Sequence, residues 1–374
     1  MSPTNGENRT GEADSQAAAL SFSSAGSEFS IGTHTTESQF NARIENLVAV
    51  IRQIKAGAYK GEWDERVSWD ILPDEYTGLL QALESDQSLV EYFHHKLQFE
   101  YAASNEGDGQ FTIFPNSIFH DTIVRNVNRH VRKWMDALGD EIGSDPENQA
   151  YFDRITELRK SVKAFRATTI EFDQERFHVD ISYGDRPWQY PPLVIDVSLS
   201  REPNDQKEKA RRLIRKGGGE IRTVVGLDLF NTYTACRNIE TRLDVPNTLR
   251  QERVRGFKFC AVFNDESGEV MRDQDGQMTI EETHYIFLTE DMEPDNEEPL
   301  CLDLGDFLPT HVLGKESIQI RRCIGEHQLV IHKGHMDDFY ARSWPLQNQL
   351  DERSNPPPPF VGYYHFLNPN AEDY

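Results

Sequence analysis

The chain has 374 residues, 37% of them hydrophobic and 27% charged, and its 63 acidic against 39 basic side chains give a formal charge of -24. That apolar content supports a core of one large or two ordinary domains and excludes a wholly disordered chain. The acidity excludes a uniformly basic surface and leaves only a local basic groove for a polyanion. The absence of a leader pattern or of a run of about 18 apolar residues predicts an intracellular protein without a membrane span.

Residues 1–36 hold only Leu20, Phe22, Phe29 and Ile31 as large apolar side chains, too few to repay ordering, and read as a disordered tail. From Phe40 onward, Ile44, Leu47, Val48, Ile51 and Ile54 recur at helical spacing. The same periodicity predicts helices over 74–83, 88–101, 118–138 and 149–165, so that 37–147 reads as a helical region. The pattern then turns to β, with strands over 168–172, 177–183, 193–200 and 221–229. A helix over 205–216, ended by Gly217, Gly218 and Gly219, lies between the last two. Helix, three strands, helix and strand in that order predict an α/β core with a mixed sheet over 148–310. Its β-rich extension has strands over 257–263, 284–288 and 300–304, and further strands over 317–321 and 328–332 fall in a C-terminal segment, 311–349. The acidic stretch 291–298 reads as an exposed loop. Pro356 to Pro359 favour polyproline II in an extended tail, 350–374.

Residues 177–183 alternate strictly, with Phe177, Val179, Ile181 and Tyr183 on one face and His178, Asp180 and Ser182 on the other. Residues 193–200 repeat the arrangement, with Asp196 and Ser198 opposite Ile195 and Val197. The short Pro-containing connection between them predicts a hairpin that brings Asp180 and Asp196 together. Two adjacent carboxylates repel unless one is protonated or a cation lies between them. Mg²⁺ or Mn²⁺ suits such oxygen ligands and activates water for attack on a phosphate.

The succession 179–184, 193–200, a Lys/Arg-rich helix and 219–226 resembles divergent, mostly uncharacterised fungal proteins of the PD-(D/E)XK nuclease-like superfamily. The Leu-Gly-Asp-Phe-Leu-Pro segment ending at Pro309 resembles their β-rich ending. The resemblance extends over 118–309, and its specific part is 179–229. It implies a restriction-endonuclease-like core hydrolysing phosphodiester bonds in nucleic acid with magnesium or manganese, with Asp180 and Asp196 as the two motif acids. Two departures matter: Val179 replaces the motif proline, and Ser198 stands where the motif lysine belongs. By the same resemblance, Lys207 or Lys209 from the following helix supplies the missing charge, and Glu157, from the helix before the first strand, completes the metal site. An inactive nuclease-fold module that binds nucleic acid or protein remains the alternative.

Residues 201–222 form the strongest local basic patch, in which Arg201, Arg211, Arg212, Arg215 and Arg222 are the expected phosphate contacts. Arg125, Arg129, Arg132 and Lys133, spaced near a helical turn, either extend that groove or pair with surface carboxylates. The stretch 273–276 reads as a hairpin turn rather than a calcium loop, and His332 and His335 as surface residues. The four cysteines, Cys236, Cys260, Cys301 and Cys323, include no CxxC pair and read as buried thiols.

Overall fold

A computed structural model describes residues 37–59, 67–103, 109–114, 118–144, 151–173, 175–185, 187–198, 203–229, 254–264, 269–287 and 299–353. The expected terminal tails up to 36 and beyond 353, the acidic loop 291–298 and Arg201 lie outside the described residues.

The N-terminal elements form their own core. Helix α1 (Glu37–Lys55) buries the predicted stripe Ile44, Leu47, Val48, Ile51 and Ile54, each worth about 1.5–3 kcal/mol when removed from water. It packs on α2 (Pro73–Glu84), and α3 (Gln87–His95) is capped by Asp86, whose side chain accepts from the Leu89 N–H at 3.1 Å. The region is not purely helical, because β1 (Val67–Ile71), β2 (Gln98–Ala103) and β3 (Gly109–Phe114) form an antiparallel group in the order β1-β3-β2. The predicted helix over 88–101 therefore stops at His95. Phe99 and Tyr101 are buried at a spacing of two, a short apolar run that helical periodicity also accommodates.

Helices α4 (Ile118–Ser144) and α5 (Phe152–Ser161) precede the central strands. These are β4 (Lys163–Phe172), β5 (Glu175–Gly184), β6 (Leu193–Ser198), β7 (Thr223–Asp228), β8 (Val254–Ala261) and β9 (Ile280–Phe287). Phe165, placed in the predicted helix over 149–165, lies inside β4 instead. Nine strands join one mixed sheet in the order β1-β3-β2-β5-β6-β7-β8-β9, with β4 also paired to β5. The pairs β4–β5 and β5–β6 are antiparallel. The pair β6–β7 is parallel, as the crossover through α6 (Pro203–Lys216) requires. The α/β class with a mixed sheet is therefore present. Strand β2 meets β5 at Tyr101↔Arg176, so the N-terminal strands continue the same sheet.

Both faces of the sheet are covered. One core joins Phe119, Ile123, Val127 and Val131 of α4 to Ile181, Tyr183, Ile195, Val197, Val225 and Leu227. The other joins Ala210, Leu213 and Ile214 of α6 to Phe177, Val179, Val194 and Val224. Beyond the sheet, β10 (Leu300–Asp303) pairs antiparallel with β11 (Gln328–Ile331). Asp306, in the 3-10 turn Leu304–Phe307, accepts from the Thr223 hydroxyl and from the Lys258 ammonium, both at 2.8 Å, tying the C-terminal segment to β7 and β8. The strand predicted over 317–321 is helical: after the short α7 (Thr310–Leu313), Ser317 caps α8 (Ile318–Glu326) by accepting from the Ile320 N–H. Helix α9 (Lys333–Arg353) lies on α4, with the His335 ring tilted against those of both His332 and His130. The turn at 273–276 forms as expected, Asp273 accepting from the Asp275 and Gln277 N–H groups. Among the described residues, no helix is long and apolar enough to cross a membrane.

Candidate functional site

The expected alternation of β5 breaks at Asp180. Phe177 and Val179 pack with α6, whereas Ile181 and Tyr183 pack with α4. An exchange of faces within one strand requires a sharp twist, and the partner strand shows it. Ala167, which the β4–β5 register sets opposite Asp180, has φ +48°, a left-handed conformation costing a non-glycine residue about 1–2 kcal/mol. No open polar face results: Asp180 and Asp196 are each 7% exposed, and Ser182 and Ser198 are buried beside them.

The twist opens a notch in the sheet. The β5–β6 ladder runs from Tyr183↔Leu193 to Ile181↔Ile195 and stops there. One further step would set Asp180 directly opposite Asp196. Instead the Asp180 carboxylate accepts from the Val197 N–H at 2.7 Å, replacing the backbone pair. On the α4 side, His120 Nε2 lies 3.1 Å from Asp180 and 3.0 Å from the Val197 carbonyl. On the α6 side, the Lys209 ammonium donates to Asp196 at 2.6 Å and to the His178 carbonyl at 2.5 Å, and pairs with Glu100 of β2 at 2.6 Å. Gln206, one turn before Lys209, donates to the Asp196 carbonyl at 2.9 Å and to its carboxylate at 3.3 Å.

Electrostatics fix the protonation states of the first pair. Burial by itself would raise the Asp180 pKa, but the adjoining His120, its hydrogen bond and the Val197 N–H outweigh that and bring it down to about 2. Burial would likewise keep His120 neutral, yet Asp180 and Asp121 raise its pKa well above the ordinary value. The pair is therefore an imidazolium facing a carboxylate. His178 is lowered, chiefly by burial. Two buried polar atoms in the notch have neither a hydrogen bond nor an ion pair, the His178 Nε2 and the Gln206 Oε1. The second is a bare carbonyl oxygen beside the acid cluster.

The other predicted site residues disperse. Lys207 lies toward Glu282 and His284, away from the notch. Glu157 is 72% exposed and pairs with Arg154, so it stands apart from both acids. The predicted basic patch is largely consumed internally: Arg211 is paired with Glu282, and Arg212 with Glu175. Arg222 is mostly buried over the Phe263 ring, and of the described patch arginines Arg215 alone is exposed. These cations pair inward because α6 lies against Glu175 and Glu282, which are remote from it in sequence.

Four notch residues escaped sequence reading. Gln206 was findable, since it shares the buried stripe of Lys209, Leu213 and Ile214 on α6. His120 likewise joins the stripe of Ile123, Val124 and Val127. The alternation places His178 on the polar face with Asp180 without marking it as a site residue, and Glu100 gave no signal, because its placement depends on how β2 meets β5. Among the described residues, no group of three or more His, Cys, Asp and Glu side chains is arranged to hold a metal ion. No protein-family model matches the chain, and no curated protein or solved structure matches it either.

Proposed function

We propose that the chain is a divergent PD-(D/E)XK nuclease-like protein that hydrolyses phosphodiester bonds in nucleic acid at the notch between β5 and β6. The observation that carries this reading is Lys209, whose ammonium reaches Asp196 from α6 where the strand itself offers only Ser198. The order of helix, three strands, helix and strand, with two antiparallel pairs and then a parallel one, supports a core of that type.

The notch acids carry oxygen donors of the kind a hard divalent cation takes, although as they stand they are engaged by His120 and Lys209 and are not arranged as a metal-holding group. Asp180, Asp196 and Glu100 supply oxygen only, and the partnerless Gln206 Oε1 adds a neutral oxygen of the kind magnesium accepts. Asp180 and Asp196 would hold the magnesium, with Glu100 in the place expected of Glu157. When bound it would lower the pKa of a water and offset charge at the phosphate. Lys209 brings its ammonium beside Asp196 and would steady a phosphoryl oxygen. His120 holds the Asp180 carboxylate ionised and oriented.

A second reading is favoured by a specific observation: each notch acid already has a cationic partner, so the same fold also suits a module that binds without cleaving. Cleavage of labelled DNA and RNA with Mg²⁺ or Mn²⁺, comparing wild type with Asp196→Asn and Lys209→Met, separates the two. Cleavage lost in both variants supports the hydrolase. Cleavage undiminished in Asp196→Asn refutes the site, and no cleavage by the wild type leaves the binding module.

A further inference from the structure

The basic residues of α4 behave differently from those of α6. Arg125, Arg129, Arg132 and Lys133 fall on one side of the helix, opposite the stripe of Ile123, Val127 and Val131 that faces the sheet. Arg129, Arg132 and Lys133 are exposed and Arg125 is half-buried. Among the described residues no ion pair joins any of the four to a carboxylate. Arg129 donates to the neutral Asn126 side chain at 3.0 Å. Arg166, exposed on β4, lies near the same surface, since both it and Arg132 act on the buried Tyr183 hydroxyl. Among the described residues other cations also lack a carboxylate partner, Arg52, Lys160 and Arg215 among them, but four together on one helix face concentrate positive charge in a chain of charge -24. The first turn of this helix also delivers His120 to Asp180, so stripe and notch share one rigid element.

We propose that this face of α4 binds the phosphodiester backbone of a nucleic acid strand, with Arg125, Arg129, Arg132 and Lys133 as its contacts. The choice of ligand rests on the hydrolase reading of the notch. The eight helical rises from Arg125 to Lys133 span about 12 Å, the rise of three or four nucleotides along a duplex. Three of the four cations are arginines, whose planar forks match phosphate oxygens two at a time. The stripe carries no sequence information, so binding is expected to be tolerant of base sequence.

The test uses the full chain, a fluorescein-labelled 20-nucleotide DNA strand and its duplex, and anisotropy between 50 and 200 mM NaCl without divalent metal. The variant R125Q/R129Q/R132Q/K133Q should lower the salt dependence by about 3 to 4 in the slope of log K against log salt. Its affinity at 50 mM NaCl should fall at least tenfold. The variant R322Q/R342Q, which removes two exposed arginines elsewhere, should bind as wild type does. A circular dichroism melt confirms that the quadruple variant is folded. The proposal is overturned if the wild type binds neither probe at 50 mM NaCl, or if the quadruple variant keeps both slope and affinity. Stripe-dependent binding without cleavage would overturn only the hydrolase reading. Asp196-dependent cleavage unaffected by the stripe would overturn only this inference.

Discussion

Replacing Lys209 by methionine keeps most of the aliphatic stem and removes the ammonium, which makes it the sharpest probe of the notch. Lys209 is 6% exposed and its two acid partners, Asp196 and Glu100, each have side chains 10% exposed. Breaking a buried ion pair by removing one member costs about 3–5 kcal/mol, because the partner remains buried and unpaired. Here one ammonium serves two carboxylates, so a loss of about 4 kcal/mol is expected, a fall in melting temperature on the order of 10 °C. Thermal and urea unfolding at pH 7 would measure it. Neutralising the whole cluster, as Glu100→Gln, Asp196→Asn and Lys209→Met together, should return stability to within about 2 kcal/mol of wild type, since no buried charge is then left uncompensated. The hydrolase reading adds that Mg²⁺ should raise the melting temperature of Lys209→Met more than that of the wild type, by binding the released oxygens in the folded state only. A single variant within about 1 kcal/mol of wild type would refute the reasoning, as would a triple variant less stable than the single one.

Replacement of His120 by glutamine should give a pH-dependent loss. The raised His120 pKa contributes stability fully present below its unfolded value near 6.5 and lost as pH rises through the folded value. The Asp180 pKa of about 2 contributes stability present above its unfolded value near 3.9 and lost as pH falls toward 2. Wild type and variant should therefore differ most between about pH 4 and 6.5 in a urea titration, and a flat difference would contradict the ion pair. Glu100→Gln should abolish metal-dependent cleavage while Glu157→Gln leaves both cleavage and melting temperature unchanged, and the reverse pattern would restore Glu157 as the third acid. Gly226→Ala should lower the melting temperature, because the new methyl group would land within the Phe257 ring packed across β7, and overpacking of this kind costs about 1–3 kcal/mol.

The central elements were legible because each has a strong local signature. The alternation of 193–198, the glycine stop after α6 and the Pro-containing connection before β6 act over a few residues, and they yielded β5, β6, α6 and β7 with small boundary shifts. The failures came where short apolar runs suit either period. Residues 98–101 continue a helical pattern from α3 until pairing with β3 claims them. Residues 317–321 alternate like a strand, yet Ser317 caps a helix whose buried side is Cys323 and Ile324. Within the site, the two acids were visible as polar interruptions of apolar strands, but their environment was not. The burial of both acids follows from α4 and α6 covering opposite faces of one sheet, a tertiary fact. The exchange of faces at Asp180 had no counterpart in an unbroken alternation; it shows in the separate packing of Val179 and Ile181 and in the positive φ of Ala167.

That exchange bears on whether the notch is a functional site or an incidental polar core. A buried network of three carboxylates, an ammonium and an imidazolium is a poor way to stabilise a sheet, since apolar residues of similar volume would serve as well or better. The ladder between β5 and β6 ends one step before Asp180 and Asp196 would face each other, and the strained Ala167 lies opposite the same point. Three unfavourable features, a shortened ladder, a left-handed alanine and an acid cluster, therefore coincide at one position of an otherwise regular sheet. Local rules tend to be broken together where a site requires it. If the network were only structural, Ala167→Gly would relieve the strain at no functional cost. If the twist instead sets the carboxylates for chemistry, the same change should keep or raise stability while lowering cleavage, and that divergence decides between the two.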